Sequence, residues 1–223
     1  MPWCFDEESC DVLRHFTRLK CSLMPYLYSE AAVVHTKGIP EMRAMMLEFP
    51  HDPTCAYLDR QYMLGSALLV APIFNDCGEV TFYVPAGRWT DLQSGRTYEG
   101  GKWYTESYDY FGLPLLVRPG TLLARNEAAA DVIYDYTSSL TLDLYELADG
   151  QTASCSIVKI HETTGLVLSA VRTVNTITLK LNGTQVNTIH LHGCRAIHAE
   201  NAVIENGSLI PAAGADTIVC TVE

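Results

Sequence analysis

Acidic side chains are the first residues in this 223-residue chain that could do chemistry, because two carboxyl groups can act as an acid and a base. The densest group lies at the N-terminus: Asp6, Glu7, Glu8 and Asp11. Asp6 stands where a helical pattern begins and can cap its free N–H groups, and the acidic residues after it match the positive end of the helix dipole. We therefore interpret this group as the start of a helix and not as catalytic residues.

Two further acidic residues lie close to an arginine. Glu48 falls in an apolar run near Arg43, and Asp59 is followed directly by Arg60. A charge within apolar sequence needs a partner of opposite charge. We interpret both combinations as structural ion pairs or surface pairs.

The histidines and cysteines give no metal-binding pattern. His190 and His192 alternate along a predicted strand and so share one face, and His198 and Cys194 are close by in sequence. No further ligand stands at a recognisable spacing, so we interpret the two histidines as a fortuitous strand pair rather than a zinc site. The sequence also lacks a nucleophile elbow, a phosphate loop and a dinucleotide fingerprint. We predict no metal and no cofactor.

Composition excludes several classes of partner. The net charge of −11 argues against nucleic acid and against an anionic membrane surface, since both need clustered Lys and Arg. No apolar run approaches the roughly 20 residues of a membrane-spanning helix, and MPWCFDEESC does not read as a signal peptide. The eight cysteines form no Cys-x-x-Cys pair, which predicts reduced, buried thiols in a cytoplasmic protein.

The strongest helical period runs from Asp6 to His35. Gly38 and Pro40 predict its end, and Pro25 is expected to kink or divide it. The apolar residues recur at steps of three and four and predict one buried stripe: Val12, Leu13, Phe16, Leu19, Leu23, Leu27, Ala31 and Val34.

The remainder of the chain predicts β-structure. The stretch from Met42 to Phe74 contains two short apolar runs, 44–49 and 68–73, which we predict to be buried strands. Short strands and turns then follow to the C-terminus, a pattern typical of β-sandwiches. Asn182-Gly183 and Asn206-Gly207 are hairpin signals, and Thr173-Val174-Asn175 separates two further strands.

Several ordered motifs of the first half resemble the C-terminal part of glycoside hydrolase family 31. Those motifs are Tyr26-Leu27-Tyr28, RAMMLEFP from Arg43, DRQYMLG from Asp59, LVAP from Leu69, GRWTD from Gly87 and PLLVR from Pro114. Together they cover about residues 2–123. RAMMLEFP and YLDRQYMLG are similar to the α-xylosidase branch, whereas the α-glucosidase branch more often has Pro-Leu-Phe at Ala44-Met45-Met46.

The resemblance implies a fold and a division of the chain. It implies a mainly β fold: a long N-terminal helix, the last helix of a (β/α)8 barrel, is followed by two β-sandwich domains. The expected units are 1–37 as the barrel remnant, 38–123 as the proximal sandwich and 124–223 as the distal sandwich.

The resemblance also implies a retaining, exo-acting α-glycosidase that hydrolyses terminal α-linked xylose or a related sugar from oligosaccharides. Such enzymes use two carboxyl groups, and the family places both upstream of Met1. We therefore predict no catalytic residue here and an inactive fragment that meets its oligosaccharide substrate through the barrel. Trp3 is the one candidate substrate-binding residue, since barrel active sites lie at the ends of the strands, although a packed structural tryptophan is the favoured alternative.

Two other functions are compatible with the sequence. One sandwich could be a stand-alone carbohydrate-binding module. The observation behind this alternative is a cluster of aromatic residues: Trp89, Trp103, Tyr104, Tyr108, Tyr110 and Phe111. The sandwiches could instead serve oligomerisation, with self-association through the Asp6–His35 helix, whose apolar stripe lacks a partner in sequence.

Overall fold

One long helix precedes all of the sheet structure. The computed structural model describes residues 1–223, and α1 spans Glu7–Lys37. The Asp6 side chain accepts a hydrogen bond from the Ser9 amide at 2.7 Å, and Gly38, with φ 69°, ends the helix in the left-handed region. Both ends are as predicted. The expected division at Pro25 does not occur, because α1 continues through that residue.

The buried face of α1 differs from the predicted apolar stripe. Of the eight stripe residues only Leu23 is buried, and Leu13 is 49% exposed. Burial is concentrated in the middle of the helix and includes polar side chains: Cys21, Ser22, Leu23, Pro25, Ser29 and Glu30. The helix is therefore fixed to the sheets mainly through its middle.

The proximal sandwich contains a six-stranded sheet and a two-stranded sheet. The six-stranded sheet has the order β1-β2-β3-β8-β5-β6, and β4 pairs with β7 opposite it. Trp89 and Phe82 are among the fully buried side chains of the core between them. The strands are β1 Met42–Ala44, β2 Tyr62–Leu64, β3 Leu68–Val70, β4 Glu79–Val84, β5 Arg88–Asp91, β6 Thr97–Glu99, β7 Lys102–Ser107 and β8 Leu115–Val117.

The two apolar runs of the Met42–Phe74 stretch have different outcomes. Leu68–Val70 forms the fully buried strand β3, as predicted for the second run. The first run was predicted wrongly: Met45–Glu48 is a one-turn helix, α2, closed by the Phe49 amide on the Met45 carbonyl. Only Met45 of α2 is buried. The apolar run 44–49 therefore does not form a strand that is buried on both faces.

The distal sandwich is built from two five-stranded sheets. The inner distal sheet has the order β16-β17-β14-β10-β9 and the outer distal sheet has the order β11-β12-β13-β18-β15. A single apolar core of 21 buried residues lies between them. The strands are β9 Thr121–Arg125, β10 Leu140–Tyr145, β11 Thr152–Ile157, β12 Leu166–Thr173, β13 Thr176–Lys180, β14 Val186–His192, β15 Ala196–Glu200, β16 Ala202–Glu205, β17 Ser208–Pro211 and β18 Thr217–Val222.

Strand β9 joins the two sandwiches. The division expected between residues 123 and 124 falls inside β9, which pairs with β10 of the inner distal sheet. Tyr145 and Leu123 pack on the opposite side of that sheet, against Leu68 and Val117 of the six-stranded sheet. The inner distal sheet is thus a middle layer between the outer distal sheet and the proximal sandwich.

The hairpin signals have mixed outcomes. Asn206-Gly207 closes a two-residue hairpin, as predicted, and Val174-Asn175 closes another between the two strands expected on either side of it. Asn182-Gly183 does not, because it connects β13 of the outer sheet to β14 of the inner sheet. The chain is mainly β with one long N-terminal helix ahead of two sandwiches, which confirms the predicted fold class.

Candidate functional site at the helix junction

A buried ionic network fixes α1 to the proximal sandwich. The Arg43 guanidinium donates to a Glu30 carboxylate oxygen at 2.5 Å and to a Glu48 oxygen at 2.7 Å. Arg118 donates to the second Glu48 oxygen at 2.9 Å. The side chains of Arg43 and Glu30 are only 7% and 10% exposed. Their mutual partners offset the high cost of burying each charge.

Two hydroxyl groups complete this network. Ser66 donates to the other Glu30 oxygen at 2.6 Å, and Tyr26 donates to the Leu64 carbonyl at 2.7 Å while accepting from the Ala67 amide at 2.9 Å. The turn that carries these groups needs Gly65, with φ 63°, because a Cβ there would collide with the Tyr26 hydroxyl and the Glu30 side chain.

The same helix is also hydrogen-bonded to the distal sandwich. Ser29 accepts from the Val158 amide at 3.0 Å, and the Tyr28 hydroxyl accepts from the His161 amide at 2.9 Å. Tyr134 donates to the Cys21 carbonyl at 2.8 Å. The middle of α1 therefore contacts both sandwiches through polar groups.

A second buried carboxylate lies on the inner distal sheet. Asp143, whose side chain is 2% exposed, accepts from Arg125 at 2.8 Å and from His192 at 3.1 Å. The His192 ring stacks on Tyr145 with centroids 4.1 Å apart. Burial acts to raise the pKa of Asp143, but the His192 hydrogen bond and the Arg125 charge outweigh it and hold that pKa below the usual range.

None of these carboxylates forms the pair that hydrolysis needs. Glu30, Glu48 and Asp143 are each bound to an arginine, and such charge-assisted hydrogen bonds hold a carboxylate in place. The arrangement can fix the relative positions of the helix and the sheets. It is a structural junction.

Two family models match the chain on either side of the β9 connection. The one described as "Glycosyl hydrolase family 31 C-terminal domain" matches residues 38–123, and the one described as "Alpha-xylosidase YicI, C-terminal domain" matches residues 135–222. The chain belongs to glycoside hydrolase family 31. The predicted resemblance, including its α-xylosidase branch, is thereby confirmed.

Curated relatives of this family 31 chain include two α-xylosidases. Alpha-xylosidase XylQ of Lactiplantibacillus pentosus is 44% identical over 69% of this chain and 21% of the relative. An alpha-xylosidase of Emericella nidulans is 48% identical over 56% of this chain and 17% of the relative. The chain thus spans about a fifth of the length of the curated relatives it matches.

Solved structures share the fold of this chain. The cycloalternan-forming enzyme of Listeria monocytogenes superposes with a TM-score of 0.84 at 21% identity, covering 100% of this chain and 25% of that one. The family 31 alpha-xylosidase of Xanthomonas citri gives a TM-score of 0.62 at 26% identity, covering 79% and 21%.

Trp3, the one substrate-binding residue predicted from sequence, lies away from the junction of this family 31 chain. It sits in a single turn, Pro2–Cys4, ahead of α1 and is 68% exposed. Its role in substrate binding stays a prediction. The packed-tryptophan alternative expects its cover from the end of the barrel and likewise stays a prediction.

The predicted ion pairs have different outcomes. The Arg43–Glu48 pair is present, as expected, whereas Asp59 and Arg60 form no ion pair with each other. Asp59 and Arg60 instead line a surface groove beside β1. Adjacent residues in an extended segment point in opposite directions, so sequence neighbours there need not pair.

The histidines and the aromatic cluster are dispersed among different contacts. His190 and His192 share one face of β14, as predicted, but His190 contacts Ser208 and His192 contacts Asp143. Of the six clustered aromatics Trp89 is fully buried, while Trp103 and Tyr110 are 53% and 72% exposed.

Sequence reasoning missed Glu30 and Asp143, two buried acidic residues of this family 31 chain. One signal for Glu30 was available, since it follows Leu27 by three residues and Leu23 by seven, which places a charge on the predicted apolar stripe. Asp143 carried a clearer one: it is the only charged residue in the strand LTLDLY. A lone charge in an apolar strand needs a buried partner.

No helix of the structure combines the length and the apolar character that crossing a membrane requires.

Proposed function

We propose that this chain is the C-terminal part of a retaining α-glycosidase that hydrolyses terminal α-linked xylose, or a related sugar, from oligosaccharides. Within that enzyme the chain supports a catalytic barrel and does not itself perform the chemistry. The observation that carries the proposal is the 44–48% identity to α-xylosidases over more than half of the chain.

The distribution of exposed apolar side chains supports a missing barrel. Eleven of the 22 large apolar side chains that are exposed lie in residues 1–74, in and around α1 and α2. Phe5 is 80% exposed, Met42 is 63% exposed and Met46 is 56% exposed. An apolar surface of this extent is usually covered by another protein surface, and about four-fifths of the XylQ sequence lies outside the matched part and could supply one.

Hydrolysis by the isolated chain is not expected. A retaining glycosidase needs two carboxyl groups about 5–5.5 Å apart, one as nucleophile and one as acid/base. The buried carboxylates of Glu30 and Asp143 are held in ion pairs, Asp91 accepts hydrogen bonds from Ser94 and from the Leu115 amide, and Asp6 caps the helix. Under this proposal Trp3 approaches the substrate of the whole enzyme, because it precedes a helix that begins at the catalytic face of the barrel.

The test is an activity assay of two proteins. The purified chain is incubated with an aryl α-xyloside and, as a matched control, with an aryl α-glucoside, beside the product of the complete reading frame. We expect turnover only from the longer product, with preference for the xyloside. Turnover that stays with the isolated chain through purification would falsify the support role. A reading frame without an upstream barrel would remove the enzyme proposal.

Exposed aromatic residues favour carbohydrate binding as a second candidate. Trp103 and Tyr110 present rings that are more than half exposed on the proximal sandwich, and such rings can stack on sugars. Calorimetry with xylo-oligosaccharides tests this: Trp103→Ala should remove a measurable heat of binding, and the absence of heat from the unmodified chain at millimolar sugar excludes the module.

The remaining proposals concern partners and location. In place of the barrel, the Asp6–His35 surface could be covered by a second copy, and substitution of Leu13 by Glu would then abolish self-association.

The eight cysteines are unpaired, which supports a reducing, cytoplasmic location. The charge of −11 supports neither nucleic acid nor a membrane surface as a partner.

A further inference from the structure

Strand β4 of the proximal sandwich has one open edge, because it pairs with β7 on its other side only. Two side-chain carboxamides bond to that open edge. The Asn75 carboxamide donates to the Glu79 carbonyl at 2.6 Å and accepts from the Glu79 amide at 3.1 Å. The Gln61 carboxamide makes the same two bonds with Tyr83, each of 2.8 Å. Each carboxamide therefore replaces one residue of a neighbouring strand.

Thr81 lies halfway between these two positions, and its outward backbone groups have no partner in the protein. Bonded and non-bonded residue pairs alternate along an antiparallel ladder, so the Thr81 N–H and C=O point to the same side as those of Glu79 and Tyr83. The Thr81 hydroxyl bonds to Thr105 at 2.8 Å on the face of the sheet and does not cover this edge. A donor and an acceptor thus stand side by side between two occupied positions.

The open edge at Thr81 lines a groove of about 250 Å³, the β4 groove. The Phe74 side chain, which is 70% exposed, and the side chains of Arg60 and Glu79 also line it. Neither Arg60 nor Glu79 takes part in any ion pair of the molecule. An apolar ring beside a few hydrogen-bonding groups is the usual composition of a small-molecule site.

The β4 groove favours a compact, hydroxylated ligand over a peptide. A peptide that adds a strand needs several residues of free edge, whereas Asn75 and Gln61 leave only Thr81 free. A pair of neighbouring hydroxyl groups offers one acceptor to the N–H and one donor to the C=O, as each carboxamide does. The opposite charges of Arg60 and Glu79 favour a neutral ligand, and both side chains bond well to hydroxyl groups.

We propose that the β4 groove binds a single neutral sugar ring. Two neighbouring hydroxyl groups bond to the Thr81 backbone, the apolar face of the ring lies on Phe74, and further hydroxyl groups bond to Arg60 and Glu79. The groove is smaller than the roughly 300–1,000 Å³ of pockets for drug-sized ligands, which suits one ring and not an oligosaccharide. This site is separate from Trp103, because β7 lies on the other side of β4.

The test is an NMR titration of the isotope-labelled chain with xylose, followed at the Thr81 backbone amide. The choice of xylose rests on the proposed function, so glucose is titrated as well. We expect a saturable shift of this amide with a Kd in the millimolar range, since the ligand is small. Phe74→Ala and Arg60→Met should each weaken binding by about tenfold. Tetrahydropyran, a six-membered sugar ring without hydroxyl groups, should not move the amide.

Matched controls separate the β4 groove from other exposed groups. Phe5→Ala and Arg14→Met remove an exposed ring and an exposed guanidinium on other parts of the chain and should leave the titration unchanged, as should Trp103→Ala. The proposal is overturned if neither sugar moves the Thr81 amide, if the two groove variants bind normally, or if Trp103→Ala abolishes binding. Hydrolysis by the complete reading frame is measured independently, so failure of either proposal can be told from failure of the other.

Discussion

Removal of the Arg43 guanidinium should destabilise the chain more than removal of any exposed charge. Arg43 is 5% exposed, and its loss leaves Glu30 buried with only Ser66 as a partner. Breaking a buried ion pair in this way typically costs about 3–5 kcal/mol. We expect Arg43→Met to lower the free energy of unfolding by that amount, which for a chain of this size lowers Tm by roughly 6–20 °C.

A double-mutant cycle tests the physical reason. Glu48 keeps its bond to Arg118 in every variant, so the cycle isolates the Glu30–Arg43 pair. Because Glu30→Leu removes the stranded charge, Glu30→Leu/Arg43→Met should be less destabilised than the sum of the single variants, by about 1–3 kcal/mol.

The assay is urea unfolding followed by tryptophan fluorescence and by far-ultraviolet circular dichroism. Arg14→Met is the matched control, because the Arg14–Asp11 pair is exposed and such pairs contribute about 0–1 kcal/mol. The reasoning is refuted if Arg43→Met costs less than about 1 kcal/mol, or if the two substitutions are additive.

Two further substitutions probe the junction. The folded pKa of Asp143 is depressed, so its ionisation stabilises the fold above the ordinary aspartate pKa of about 3.9, and this contribution is lost as pH falls through the folded value. Asp143→Asn should therefore be less stable than the unmodified chain at pH 7, and this difference in stability should disappear as the pH falls into the acid range. Urea unfolding midpoints measured at a series of pH values test this. A difference that stays constant with pH would contradict the assignment to the Asp143 charge. Gly65→Ala should lower the free energy of unfolding by about 1–3 kcal/mol, because the new Cβ strikes the Tyr26 hydroxyl and φ at this position is positive. Gly95→Ala is the control, since φ there is also positive but a Cβ meets no atom within 4 Å. If the two variants have the same Tm, the turn at Gly65 relaxes freely around the added methyl group.

The order of elements could be predicted from sequence because it depends on local signals. Asp6 and Gly38 fixed the two ends of α1 through capping, which needs only nearby residues. Asn206-Gly207 closed its hairpin for the same reason. Asn182-Gly183 forms a similar turn, with φ values of 47° and 76°. The strands on either side of it, β13 and β14, do not pair with each other, because β13 pairs with β18, the last strand of the chain. Turn residues set local direction and not the choice of partner strand.

The junction could be predicted only in part, because its partners are distant in sequence. The Arg43–Glu48 pair was predictable, since five residues separate the two. Glu30 reaches Arg43 only because α1 lies across the turn at Gly65, a tertiary arrangement that no helical period encodes. The apolar stripe of α1 was misassigned for a related reason: periodicity shows which residues avoid water, but not which protein surface covers them.

Polar contacts at the junction explain how one helix can serve two sandwiches. Apolar packing tolerates sliding, whereas a hydrogen bond weakens steeply when its geometry is disturbed. Tyr26 and Glu30 bind the proximal sandwich, and Ser29 and Tyr28, on the same turns of α1, bind the distal one. Because each contact is directional, a rotation of α1 would break bonds to both sandwiches together. The middle of the helix is therefore oriented by the sheets, while Leu13 in its first turns stays 49% exposed.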